Sequence, residues 1–250
     1  SIQELSRHLP LVLQELNRNQ VKASGNISFE SSISAKIKDT EQQIDLQSAL
    51  AIQGADLDTK ELKIKGSGGI KFDLKQPNQK DLSVLFDSNL SNLNLKFGEL
   101  FHKPRSQAFD IELELKKRAE SLTIPQFNIH LADLKLRGVG AQTNDNYELK
   151  AQLKPSSLSS FLTMFSASQH MGIDLRQGQL GFELKVKSGK TANDLQVQLN
   201  HLTFKAPKNI LTADLSLKNL ANPQVRFKVV APKFDLDRLV PSSSANKSAN

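Results

Sequence analysis

Residues 109–116 read Phe109-Asp110-Ile111-Glu112-Leu113-Glu114-Leu115-Lys116, an unbroken alternation of apolar and charged side chains. In an extended chain successive side chains point to opposite faces, so this stretch has one dry face and one wet face. Wound as a helix, the same residues would mix charge and hydrocarbon around the circumference and leave no stripe to bury. The stretch reads as a β-strand.

The same texture extends in both directions. Ile44, Leu46, Leu50 and Ile52 alternate around Asp45 and Gln47. Leu180, Phe182, Leu184 and Val186 repeat the pattern, followed by Leu195, Val197 and Leu199. Leu211, Ala213, Leu215 and Leu217 come next, then Val225, Phe227 and Val229, while Val21, Ala23, Ile27 and Phe29 open the series. Several runs reach ten residues or more, against a usual strand of about 5–6. At about 3.3 Å per residue such strands span roughly 30 Å, which predicts an elongated sheet.

Helix is scarce. Ile2, Leu5, Leu9, Val12 and Leu16 fit a helical stripe around Pro10, residues 157–165 form a second short candidate, and 236–240 suit a single turn. Three such pieces cannot cover a dozen strands. The apolar face must therefore meet another sheet, or something other than this chain.

Composition narrows the chemistry. The chain has 250 residues, enough for one large domain or two ordinary ones, and no Cys, which removes disulfides, thiolate metal sites and cysteine nucleophiles. No apolar run approaches the ~18–20 residues of a membrane-spanning helix, and Ser1 leads straight into mixed polarity rather than a signal peptide. Ser1 and the polar tail 242–250, expected to be disordered, suit the edges of a segment excised from a longer chain. The net charge is +7, but Lys36, Lys38, Lys63, Lys65, Lys71 and Lys75 are scattered singly among acids. With no Trp and one Tyr, stacking platforms for nucleic acid would have to be Phe. A solvated strand face explains the lysines, and attraction to an anionic membrane surface stays open.

No catalytic or metal constellation emerges. His8, His102, His130, His170 and His201 lie far apart. The pairs Asp56/Asp58, Glu112/Glu114 and Asp235/Asp237 suit calcium or acid–base work in principle, but on a strand that spacing places both on the wet face. Gly66-Ser67-Gly68-Gly69 sits between strand-like runs with no helix behind it, which reads as a turn or bulge rather than a phosphate loop. Phe161, Met164 and Phe165 either dip into a membrane or seal the sheet edge. No cofactor is expected.

An internal echo recurs. Glu4-Leu5-Ser6-Arg7-His8-Leu9-Pro10 matches Asp235-Leu236-Asp237-Arg238-Leu239-Val240-Pro241, with weaker cousins at Asp81-Leu82-Ser83-Val84-Leu85 and Ser157-Leu158-Ser159-Ser160-Phe161. The leucines at 5, 82, 158 and 236 are about 77 residues apart. Leu62-Lys63-Ile64-Lys65-Gly66-Ser67-Gly68 similarly echoes Leu134-Lys135-Leu136-Arg137-Gly138-Val139-Gly140.

The Asp-Leu-x-Arg-Leu-x-Pro connector after Val229-Val230-Ala231-Pro232-Lys233-Phe234 resembles the repeat boundary of the AsmA-like family of bacterial envelope proteins. So does Gln20-Val21-Lys22-Ala23-Ser24-Gly25-Asn26-Ile27-Ser28-Phe29 after the first connector. The resemblance implies a repeating β-groove with an apolar floor, an N-terminal membrane anchor missing here, residence in the periplasm at the inner membrane, and movement of phospholipid between membranes. The expected fold is thus all-β: an elongated, strongly curved antiparallel sheet forming a groove over 1–241 from about three five-strand repeats, roughly 5–81, 82–157 and 158–235, with a short N-terminal helix. Its expected lipid-contacting residues are Ile27, Phe29, Ile44, Leu46, Leu50, Phe109, Ile111, Leu113, Leu115, Phe182, Leu184, Val186, Leu195, Val197, Leu215, Phe227 and Val229. The expected partner is phospholipid or another acyl-chain lipid, with no nucleic acid and no enzymatic activity. The competing reading is a non-lipid binding or adhesion module whose strands close into a sandwich or solenoid.

Overall fold

The computed structural model describes residues 22–38, 41–59 and 61–240. The expected N-terminal helix and the tail 242–250 lie outside them. The strands are β1 Lys22–Lys38, β2 Glu41–Asp58, β3 Leu62–Gln76, β4 Asp81–Asn89, β5 Leu93–Phe97, β6 Phe101–Lys103 and β7 Phe109–Arg118. They continue as β8 Ser121–Leu131, β9 Leu134–Thr143, β10 Asn146–Ser157, β11 Gln179–Ser188, β12 Gln196–Lys205, β13 Ile210–Lys218 and β14 Gln224–Lys233. Twelve of them form one antiparallel ladder in the order β1-β2-β3-β4-β7-β8-β9-β10-β11-β12-β13-β14. The sheet is curved and does not close, and no second sheet packs on it among the described residues. Twelve strands about 4.8 Å apart make a ladder roughly 53 Å long.

The curvature has causes in the sequence. A bulge places two residues opposite one, bending its strand and sharpening the twist. Register shifts occur where proline removes a ladder donor, at Pro125 opposite Leu115, at Pro155 opposite Gly181, and at Pro232 opposite Leu211. Glycines act similarly in the first strands: Gly25 and Gly54 have φ of 112° and 58°, and a Cβ on Gly25 would lie 2.7 Å from the Gly54 carbonyl oxygen. At the β11–β12 bulge His201 takes the left-handed conformation, φ 51°, and its freed N–H donates to Asp214 Oδ1 at 2.9 Å.

The two rims of the sheet differ. One is made mostly of tight hairpins. The other carries the β5–β6 hairpin and residues 158–178, which hold α1 Ser159–Leu162, a 3-10 turn Ser166–His170 and α2 Ile173–Arg176. A further 3-10 turn, Leu236–Arg238, joins this rim. These pieces lock together: Phe101 bridges to Phe165, and the His102 N–H donates to the Met164 carbonyl at 2.6 Å. Phe165 meets Phe101 edge-on and Phe161 at a tilt, with centroids 5.4 and 5.2 Å away. Leu93, Lys103, Leu158, Met164, Asp174 and Asn209 are all buried, so the tightly packed part of the molecule is a strip along one rim.

The connectors at 158 and 236 are helical turns on that rim, but Asp81-Leu82-Ser83-Val84-Leu85 is not a connector. It begins β4, because Leu82, Val84 and Phe86 alternate and the period of two overrides the short leucine echo. The expected units 5–81, 82–157 and 158–235 accordingly contain three, seven and four of the described strands.

Candidate functional site: an uncovered apolar face

Strand register aligns the apolar side chains into rows that run along the ladder. One row passes from Phe29 through Leu50, Ile70, Ser88, Ile111, Ile129, Leu136 and Leu153 to Phe182. A second joins Phe72, Phe86, Leu113, Phe127, Gly138, Ala151, Leu184, Leu199, Leu215 and Phe227. A third begins Ile33, Leu46, Leu74, Val84, Leu115, and resumes past the Pro125 bulge as Ile124, Gly140, Leu149, Val186, Val197, Leu217 and Val225. Because side chains alternate across the pleat, all of these share one face.

The expected groove residues fall on this face. Ile27 pairs with Ile52, Ile44 with Ala35, Phe109 with Leu131 and Val229 with Ala213. Leu195 alone of the expected set lies outside a strand: it directly precedes β12, where its carbonyl accepts from the Asn219 N–H at 2.9 Å. The sequence reading missed the inner residues of β4, whose alternation was taken for a connector. It also missed β8, where Pro125 breaks the period, and β9, where Gly138 and Gly140 carry no side chain to count.

Among the described residues little protein covers the face. Leu90 and Leu93 lean onto Gly68 at the packed rim. Gly178 sits against the Phe204 ring at the same rim, and the main contacts among the described elements run between neighbouring strands of the sheet. On the outer strands Phe29 is 64% exposed, Ile33 73% and Phe227 75%. In the middle the inner residues are half-buried by one another, and only small or central ones such as Ala151 and Leu153 are fully enclosed. An apolar cleft of about 250 Å³ opens between β8 and β11, lined by Leu122, Ile124, Gly140, Tyr147, Leu149 and Val186 among others.

The opposite face is polar and balanced. Lys63 and Lys65 pair with Asp58 and Asp56 at 3.0 Å each, Glu112 accepts from Asn128 at 2.8 Å, and Glu114 pairs with Lys116 at 2.7 Å. Asp56 and Asp58 are thus paired with lysines of β3, Glu112 with Asn128 of β8 and Glu114 within its own strand, while at Asp235 it is the backbone N–H that donates to Asn209 Oδ1. Glu148 faces Lys150, Lys185 and Lys187; partial burial pushes its carboxyl up, but these lysines outweigh that and hold it below the ordinary range. This face carries a cleft of about 710 Å³, lined by Arg137, Lys150, Gln152, Glu183 and Lys185 among others. Long hydrated side chains on a twisted sheet leave such hollows, and their polar walls are satisfied by water. The hydrocarbon face has no such remedy: each exposed Å² costs about 25 cal/mol.

The packed rim is held by two buried charges. Lys103 is wholly enclosed and donates to the carbonyls of Ser91, Leu93 and Pro104 at 2.9, 2.8 and 3.3 Å. Burial pushes its ammonium below the usual lysine range, and Asp110 partly offsets this. Asp174, also enclosed, accepts from Arg238 Nε at 2.8 Å, Asn209 Nδ2 at 2.9 Å and the Lys208 N–H at 3.1 Å. Burial raises its pKa, and these three donors together bring it below the ordinary value. Both groups are saturated by protein partners that tie loops to the sheet, a structural role. Among the described residues no three metal-ligating side chains converge, and no helix is long and apolar enough to cross a membrane. No family model matches the chain, and no curated protein or solved structure matches it either.

Proposed function

We propose that the chain binds acyl-chain lipid, phospholipid above all, along its apolar face and serves its non-enzymatic transfer between membranes of the bacterial envelope. The observation that carries this reading is the hydrocarbon surface running across twelve strands with no second sheet over it among the described residues. An acyl chain moved through water exposes about 0.8 kcal/mol per methylene, and a greasy floor along the path removes much of that barrier. Contact with Leu, Ile, Val and Phe is non-directional, so a bound chain can slide from strand to strand while its head group stays in water. The resemblance of the connectors to the AsmA-like family points the same way and adds the periplasm, with an inner-membrane anchor in a longer chain, as the setting.

A closed adhesion sandwich is the less fitting alternative, since the sheet is open and has no second layer among the described residues. Native mass spectrometry of the purified chain tests the proposal directly. Co-purified phospholipid, and acceleration of fluorescent lipid exchange between donor and acceptor vesicles, are expected. A ligand-free protein that leaves the exchange rate unchanged overturns it.

A further inference from the structure

Two charged residues stand at inner positions of the described strands: Lys103 on β6, which is enclosed and donates to three carbonyls, and Lys117 on β7. β7 alternates without a bulge against β4, so Lys117 shares the face of Phe109, Ile111, Leu113 and Leu115. It stands between Leu82 on β4 and Leu122 on β8. Its side chain is exposed, and it makes no ion pair or hydrogen bond, whereas lysines on the polar face repeatedly find acids. A lone cation set among leucines, with water on one side, is a group without its counter-charge.

Its position matters. Lys117 lies at the hairpin rim, and the row it belongs to continues through Leu122 to Gln142, Tyr147 and Ser188. Leu122 is also the first wall of the 250 Å³ apolar cleft, which runs across β8, β9, β10 and β11. From β7 to β11 is four strand spacings, about 19 Å. Half of a ~30 Å bilayer core, the reach of one acyl chain, is about 15 Å. A chain laid in the cleft with its end toward β11 therefore puts its head beside Lys117.

We infer that Lys117 and the β8–β11 cleft form one binding site for an anionic acyl lipid, the ammonium holding the phosphate or carboxylate while the cleft takes the chain. This rests on the lipid-binding reading above and specifies its ligand. Gly140 gives a means of closing the cleft: a Cβ there would lie 3.3 Å from Ile124 Cδ1, tight but relieved by a small shift.

The test uses the 250-residue chain and three probes with the same pyrene-labelled acyl chain: phosphatidic acid, a fatty acid and diacylglycerol. The wild type is expected to hold the anionic probes about fivefold more tightly than diacylglycerol, as one partly exposed charge-assisted contact allows. Lys117→Gln should abolish that preference and leave diacylglycerol unchanged, Lys117→Arg should retain it, and Gly140→Val should weaken all three. If only phosphatidic acid shows the dependence, the recognised group is a phosphate; if the fatty acid does too, it is any anion, and either supports the site. A preference that survives Lys117→Gln, or wild-type affinities that ignore head-group charge, overturns the inference while the lipid-binding reading stands. Failure of every probe to bind overturns both.

Discussion

Arg238 Nε donates to Asp174 Oδ1 at 2.8 Å, joining residues 64 apart in sequence. The contact fastens the last helical turn to α2 and, through Asn209, to the β12–β13 turn. Since its partners hold the Asp174 pKa below the ordinary 3.8, the stability it lends is complete above that pH and drains away as pH falls through the lower folded value. Urea midpoints followed from pH ~6 to ~2 should show an acid limb that Asp174→Asn flattens, with a lower midpoint at neutral pH. Parallel limbs for the two proteins contradict this account.

Lys103 makes the complementary case. Replacing it by Met keeps the volume but leaves the carbonyls of Ser91, Leu93 and Pro104 buried without a donor. The expected loss is about 2–4 kcal/mol in chemical denaturation. A neutral result would mean that water replaces the ammonium, and that the loop 90–108 does not depend on it.

Gly138 tests how closely the sheet packs on its own face. The Phe127 ring lies over it, and a Cβ there would approach Phe127 Cζ to 2.3 Å and the Lys150 carbonyl oxygen to 2.4 Å. Gly138→Ala should cost about 1–3 kcal/mol by overpacking, read as a lowered melting temperature. Gly140→Val should be milder, because only a side-chain terminus is in the way.

Phe29 and Phe227 distinguish an open face from a core. At 64% and 75% exposure, each should tolerate replacement by Ser with a loss below about 1 kcal/mol, where a buried Phe would cost about 3–5 kcal/mol. Under the proposed function the pair should instead lower lipid affinity. Large destabilisation on calorimetry, with lipid binding intact, reverses the assignment.

How much of this was legible in advance depended on whether the signal was local. The octet at 109–116 foretold strand, period and inner face, since a pleat is a property of consecutive residues. Helical turns at 159–162 and 236–238 were legible for the same reason. What escaped was set by partners far away in sequence. Asp81-Leu82-Ser83-Val84-Leu85 shares a leucine spacing with the connectors, and its pairing with β3 and β7 decides between that echo and the alternation of Leu82, Val84 and Phe86. Pro125 interrupts the local period yet sits in a bulge inside one strand, because β7 and β9 hold both sides of it in register. The setting of Lys117 is given by Leu82 and Leu122, which lie on other strands and leave no local mark in the sequence. Asp174 and Lys103 gave no sign of burial, which arises from rim loops that fold over them.

The ladder's failure to close has a consequence for size. In a barrel, strand number fixes the diameter, and adding a hairpin means re-tilting every neighbour. An open ribbon carries no such constraint. Each further hairpin would lengthen it by about 10 Å and leave existing pairings untouched. Reach is thus an adjustable quantity in this architecture, and simple duplication of hairpins could tune it to any gap the molecule has to bridge.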